Sequence, residues 1–110
     1  MSITGDLIRG HTDTIILALL SREDSYGYQI NKAILQKTEG RYELKEATLY
    51  TAFRRLEQSG YIVSYWGDEM AGARRRYYRI TDAGRQAYRQ RLDEWQETKE
   101  TIEKLLEEEA

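Results

Sequence analysis

The chain has 110 residues, which is enough for one domain with a modest core. Charged residues make up 33% and hydrophobic residues 40%, a balance typical of a folded globular protein rather than a disordered one. Cysteine is absent and no apolar run approaches the roughly 18 residues of a membrane span, so the composition excludes disulfides and predicts a cytoplasmic protein with no membrane partner.

The net charge of −2 conceals an uneven distribution of charge along the chain. Residues 1–91 contain 15 Lys and Arg against 11 Asp and Glu, whereas residues 92–110 contain 2 against 8. A basic body is therefore followed by an acidic tail. This asymmetry is compatible with binding of nucleic acid by the body, but acidic tails are also common as simple solvated surface.

The first part of the chain predicts two helices. Leu7 to Leu20 repeats Leu and Ile at helical spacing, with a break near Gly10. A second helix is predicted from Tyr26 to Thr38, with Ser25 as its N-cap and Gly40 as the residue that ends it. The two helices together supply much of the apolar surface of the candidate core.

A third helix is predicted from Glu46 to Ser59, after a short extended piece at Tyr42 to Leu44. Its apolar residues recur at i, i+3, i+4 and i+7 and form one buried stripe: Leu49, Ala52, Phe53 and Leu56. If that stripe faces the core, the opposite face and its flanks carry side chains suited to DNA: Thr48, Tyr50, Thr51, Arg54 and Arg55. A solvated helix face with incidental arginines is the alternative.

A β-hairpin follows the third helix. Tyr61 to Trp66 is β-branched and aromatic, Gly67 to Ala73 is typical of a loop, and Arg74 to Ile80 is the return strand. Side chains alternate in a strand, so Arg74 and Arg76 share one face and Arg75 lies on the other. A basic hairpin after a helix-turn-helix is typical of a wing that contacts phosphates, although charge also keeps ordinary edge strands soluble.

The last helix begins at the N-cap Thr81 and is predicted to reach nearly to the C-terminus. Its apolar residues form a heptad-like seam, predicted to be a dimer interface: Tyr88, Leu92, Trp95, Ile102 and Leu106. The order predicts an α+β, mainly α, winged helix-turn-helix. Residues 1–80 would form the DNA-binding domain and residues 81–110 the dimerisation helix, in one compact unit.

The sequence shows little that could support catalysis. His11 is the only histidine, cysteine is absent, and no glycine-rich phosphate loop is present. We therefore expect neither an enzyme nor a cofactor or metal site, and we interpret His11 as a surface or interface residue.

Three motifs resemble the PadR family of winged-helix transcriptional regulators: Tyr26–Ile30, Ala47–Glu57 and Tyr78–Arg85. The Thr48-Leu49-Tyr50 step is the most specific of them, and the single helix after the hairpin is similar to the small subfamily. The resemblance implies a homodimer, held by the last helix against the first helix of the other subunit. It also implies repression by binding double-stranded operator DNA, with release by a small effector in some members.

A planar aromatic effector is one hypothesis that the sequence allows. Trp95 lies on the seam of the last helix, and Ile8 and Ile15 of the first helix could face it across the dimer, lining an apolar cavity. Packing of Trp95 in the dimer core is the alternative. For the protein as a whole, the alternatives to a DNA-binding repressor are a protein-interaction module and a ligand sensor with little specific DNA binding.

Overall fold

The computed structural model describes residues 5–67 and 74–108. The elements in chain order are α1 Gly5–Arg9, α2 Thr12–Leu20, α3 Gly27–Lys37, α4 Glu46–Gln58, β1 Ile62–Trp66, β2 Arg76–Ile80 and α5 Asp82–Leu105. The predicted fold class is confirmed, and the N-terminal helix is interrupted at Gly10 as predicted. The predicted hairpin loop falls mostly on residues 68–73, which lie outside the described residues.

One hydrophobic core joins α2, α3, α4 and the hairpin. At its centre Phe53 of α4 stacks on Tyr78 of β2, with ring centroids 3.9 Å apart and an angle of 15° between the planes. Fully burying an aromatic or aliphatic side chain contributes about 1.5–3 kcal/mol to folding. The predicted stripe of α4 is buried throughout, with the rest of the core around it: Ile16, Leu17, Leu20, Ile30, Ile34, Leu44, Ile62 and Ile80.

The two strands pair antiparallel, with Ile62 opposite Ile80 and Trp66 opposite Arg76. Ser25 extends this pairing, because its backbone exchanges two hydrogen bonds with that of Tyr78, at 3.2 and 2.8 Å. The prediction that Ser25 is the N-cap of α3 is therefore wrong. Tyr26 occupies the N-cap position without a side-chain cap, since Ser25 is held one residue earlier by the sheet.

Helices α3 and α4 end in the same hydrogen-bonding motif, in which the residue after the C-cap has a positive φ. After α4 that residue is Gly60, at φ 78°, and the amides of Gly60 and Tyr61 close the motif. After α3 the equivalent residue is Glu39, at φ 54°, followed by Gly40 at φ 80°. Gly40 thus takes part in the predicted helix end, but a glutamate occupies the position that glycine favours.

The last helix starts where the sequence predicts. The hydroxyl of Thr81 accepts a hydrogen bond from the amide of Gly84 at 3.0 Å. Gly84 itself is packed so closely that a Cβ atom added to it would lie 2.1 Å from the carbonyl oxygen of Tyr61. α5 packs on the body mainly through its first half, with Ala87 and Tyr88 against the core, and the side chains of residues 93–108 are exposed.

We expect Glu39→Gly to stabilise the protein by about 1 kcal/mol, because glycine adopts the left-handed conformation without the steric cost that a Cβ atom carries. Urea unfolding followed by circular dichroism measures the effect. Glu43→Gly is the matched control: Glu43 is also exposed and lacks a positive φ, so the same change there should lower stability. A destabilised Glu39→Gly variant would contradict the assignment.

Candidate nucleic-acid interface

The buried stripe of α4 fixes which of its side chains face solvent. Thr51 and Arg54 lie on the exposed side, and Thr48 and Arg55 lie towards α2. Tyr50 lies on the flank, where its ring packs edge-on against Phe53 at 5.6 Å. The hydroxyl of Tyr50 approaches Gly27 so closely that a Cβ atom there would lie 2.6 Å from it. The side chains predicted for DNA on this helix therefore form one surface.

Asn31 positions the start of α4, a role that the sequence did not suggest. Its side-chain amide donates to the carbonyl of Leu44 at 2.7 Å and accepts from the amide of Leu44 at 2.8 Å. A polar side chain inside α3 thereby holds the segment that leads into α4. Asparagine is a poor helix former, which is the only local signal that could have marked it.

Arg55 is held by an ion pair with Asp13 of α2. The guanidinium donates to both carboxylate oxygens, with Nε 3.0 Å from Oδ2 and Nη2 in short contact with Oδ1. This hydrogen bonding raises the pKa of Arg55 above its ordinary value. Arg54, by contrast, has no hydrogen bond or ion pair with any of the described residues, and its side chain is exposed. The two neighbouring arginines are therefore not equivalent.

The hairpin β1–β2, called the wing below, is tied to α4 through Arg76. The guanidinium of Arg76 donates to the hydroxyl of Ser64 at 2.8 Å and contacts Glu57 of α4 at 3.4 Å. It also lies 5.7 Å from the ring centroid of Tyr78. Arg76 thus shares a face with Tyr78, as strand alternation predicts, and its charge is partly directed towards α4 rather than outward.

The opposite face of the wing is tied to the segment between α2 and α3. Asp24 accepts a hydrogen bond from the hydroxyl of Tyr65 at 2.6 Å and one from Nε of Arg79 at 3.1 Å. Tyr65 stacks on Tyr77 at 5.6 Å, and Tyr77 meets Tyr26 edge-on at 5.2 Å. The wing is therefore anchored on both faces.

Two wing arginines lie nearest the hairpin loop. The guanidinium of Arg75 lies 4.7 Å from the ring centroid of Tyr26, and that of Arg74 lies 6.0 Å from that of Trp66. Both side chains are exposed. Strand β2 begins at Arg76, so Arg74 and Arg75 precede it rather than opening it as predicted.

The predicted dimer seam is divided between the body and solvent. Tyr88 and Leu92 are half-buried against their own protomer, whereas Trp95, Ile102 and Leu106 are exposed. Trp95 packs edge-on against His11 at 5.0 Å.

Ile8 and Ile15, predicted together with Trp95 as ligand-binding residues, line a separate apolar cleft of about 250 Å³ between α2 and the end of α3. Trp95 is not among its lining residues. Within residues 5–67 and 74–108, no group of His, Asp and Glu could hold a metal ion. None of the helices there is both long and apolar enough to cross a membrane.

Comparison with known proteins places this arrangement in a family. The sequence model of the "Transcriptional regulator PadR-like family" matches residues 16–90. A relative from Lysinibacillus sphaericus, described as uncharacterised protein X, is 44% identical over 105 residues, which cover 96% of each chain.

Solved structures of transcriptional regulators are also similar to the chain. One from Clostridium thermocellum is 53% identical, covers 96% of this chain and 99% of its own, and has a TM-score of 0.87. A PadR family regulator from Clostridium difficile is 33% identical, with coverages of 88% and 99% and a TM-score of 0.75. One from Eggerthella lenta is also 33% identical, with coverages of 94% and 88% and a TM-score of 0.83.

The hydrogen bond to Asp24 raises the pKa of Tyr65 above its ordinary value. We expect Asp24→Ala to lower that pKa, which 13C-tyrosine NMR measures. Because the folded-state pKa exceeds the unfolded one, the stabilisation is complete below about pH 10 and is lost as pH rises further. Wild-type stability should therefore fall more steeply above pH 10 than that of Asp24→Ala.

Glu23→Ala is the control for this titration, since Glu23 is the exposed neighbour of Asp24 and has no ion pair with any described residue. An unchanged Tyr65 midpoint in Asp24→Ala would show that the wing is not anchored at this carboxylate.

Proposed function

Since the chain belongs to the PadR-like family of transcriptional regulators, and so to DNA-binding regulators rather than enzymes, we propose that it binds operator DNA as a homodimer and represses transcription. The observation that carries the proposal is the exposed face of α4, which presents Thr51 and Arg54 beside an anchored basic wing. An α-helix fits the major groove, where arginine can bond guanine through two donors. Such a protein acts in the cytoplasm, where it meets its operator.

Different parts of this surface have different roles in the proposal. Arg54 reads bases, because it projects from α4 without an intramolecular ion pair to any described residue. Arg74 and Arg75 lie on the wing and contact phosphates, which position a protein but carry no sequence information. Arg76 supports the wing against Glu57 and contributes less to DNA directly.

The proposal of a dimer is supported by apolar side chains that are exposed to solvent in a single protomer. Leu105 and Leu106 at the end of α5 are 78% and 77% exposed, and Leu7 of α1 is 76% exposed. Large apolar side chains left this exposed often mark an interface when a partner gathers them into one patch. A two-fold dimer also provides the fixed spacing that two operator half-sites require.

We place the end of the partner's α5 in the apolar cleft of Ile8 and Ile15. The cleft lining includes the exposed Arg22 and Lys37, whose charges complement the acidic end of α5. An apolar aromatic effector that enters this cleft would compete with the partner's helix. Release of DNA would follow only if the effector prefers the dissociated or rearranged dimer.

A gel shift with DNA from upstream of the protein's own gene tests the proposal against its main alternative. A repressor should retard that duplex at concentrations that leave a random duplex of equal length free, and should reduce transcription from it in vitro. A protein-interaction module would show no preference between the two duplexes.

We expect Arg54→Ala to weaken binding to the shifted upstream duplex by about 1–3 kcal/mol, the usual cost of losing a bidentate base contact. Fluorescence anisotropy measures the loss, which should be much smaller on the random duplex. Arg89→Ala removes the same charge from the exposed surface of α5 and serves as control. Equal losses on both duplexes would mean that Arg54 contacts phosphate instead.

We expect Ile102→Glu combined with Leu106→Glu to give a folded monomer, because both side chains are already exposed in one protomer and contribute only to association. Sedimentation velocity measures the mass, and circular dichroism the fold. Lys104→Glu changes the net charge by the same amount on the opposite side of α5 and should remain dimeric. A dimeric double variant would refute the proposed interface.

A further inference from the structure

A second cleft, of about 370 Å³, opens on the side of α4 that faces α1 and α2. It is lined by Arg9, Thr12, Ala47, Thr48, Thr51 and Arg55, and is called the threonine–arginine cleft here. Arg9 is the last residue of α1 and Thr12 the first of α2. Three helices therefore contribute to one concave surface, of which the sequence pattern assigns only Thr48, Thr51 and Arg55 to DNA.

The lining of the threonine–arginine cleft suits an anion that carries several oxygens. The guanidinium groups of Arg9 and Arg55 and two hydroxyls of α4 meet there, and among the described side chains no carboxylate lines it. Guanidinium forks match the geometry of phosphate oxygens, which accept charge-assisted hydrogen bonds. The hydroxyl of Thr12 is already used, since it donates to the carbonyl of Arg9 at 2.8 Å. Thr48 and Thr51 are therefore the hydroxyl donors.

Arg55 is oriented before any ligand arrives. Asp13 engages its Nε and Nη2 atoms, and Nη1 lies on the other edge of the planar group. A guanidinium fixed in this way loses less side-chain freedom on binding an anion than a mobile one does. Because the ion pair holds the guanidinium in one orientation, Arg55 is better suited to binding a phosphate at a fixed position than to contacting different bases.

The position of the cleft relative to the wing indicates which phosphate it meets. Around α4, Thr48 and Glu57 are about 180° apart, and Glu57 is the residue that contacts the wing. Arg54 projects between these two flanks. A helix lying in the major groove has a phosphate backbone on each side. The wing would follow one strand, so the cleft faces the other.

We propose that the threonine–arginine cleft seats a backbone phosphate of the operator strand opposite the one that the wing contacts, held by Arg9 and Arg55 with the hydroxyls of Thr48 and Thr51. This inference rests on the proposed DNA binding and adds α1 to the interface. Arg9 then contributes to affinity for any duplex, while Arg54 sets the sequence preference.

The first test is the salt dependence of binding, measured by fluorescence anisotropy for wild type and Arg9→Gln on the upstream and random duplexes. Each lost phosphate contact should lower the slope of log affinity against log salt concentration by about 0.9. At 0.1 M salt this corresponds to binding about eightfold weaker for each bound protomer, on both duplexes alike. Arg89→Gln is the matched control and should change neither. If Arg9→Gln behaves like Arg89→Gln while wild type still prefers the upstream duplex, this inference is wrong and the proposed function stands. If wild type shows no preference, the proposed function itself fails.

The second test locates the phosphate. Neutral methylphosphonates are placed singly along each strand of the upstream duplex. At one position in each half-site, the methylphosphonate should weaken binding by wild type but not binding by Arg9→Gln. At a different position, on the other strand, it should weaken binding by wild type but not binding by Arg74→Gln. If the loss of affinity from Arg9→Gln adds to the loss from the methylphosphonate at every position, the proposal is overturned.

A seat for a free anion is distinguished by titrating inorganic phosphate at constant ionic strength without DNA. We expect no saturable change in the NMR signals of the Thr48 and Thr51 methyl groups at millimolar phosphate. Saturation there, with unchanged DNA binding in Arg9→Gln, would assign the cleft to a free anion instead.

Discussion

The stack of Phe53 on Tyr78 is the contact on which the proposed DNA surface depends. One ring belongs to α4 and the other to β2, and both are buried in the core. Because close-packed interiors resist deformation, this contact fixes the angle between α4 and the wing. Asn31 at the start of α4 and the Arg76–Glu57 contact add polar restraints at the periphery of the same unit. The exposed arginines therefore project from one rigid frame.

The helices and strands of this frame were predictable because they follow from the local periodicity of apolar residues. The stripe of α4 and the alternation of β2 depend only on which neighbours along the chain are apolar. The interactions between distant residues were not predictable in this way. Arg55 pairs with Asp13, 42 residues earlier, and Arg79 with Asp24, 55 residues earlier. Sequence patterns assign such side chains to a face but do not say which partner from another element will occupy it.

The same limit explains why Ser25 was wrongly predicted as an N-cap and why Arg54 and Arg55 were not distinguished. Serine is a good N-cap, but its backbone is taken by Tyr78, so tertiary pairing overrides the local preference. Arg54 and Arg55 are adjacent and chemically identical, yet among the residues that the structure describes only Arg55 pairs with a carboxylate. A run of arginines thus contains residues that support the surface and residues that remain available to a partner. Only three-dimensional structure separates them.

The tight packing at Gly84 gives α5 the mechanical properties of a lever. The helix is anchored where Gly84 lies against the carbonyl of Tyr61, with no room for a side chain, and its distal half extends into solvent. Beyond the contact of Trp95 with His11, the ten residues Gln96–Leu105 span about 15 Å, so a tilt of about 10° of this arm displaces its far end by about 3 Å. A small change in the tilt of α5 is thus enlarged at its tip. In a symmetric pair of protomers, the displacements of the two tips would add.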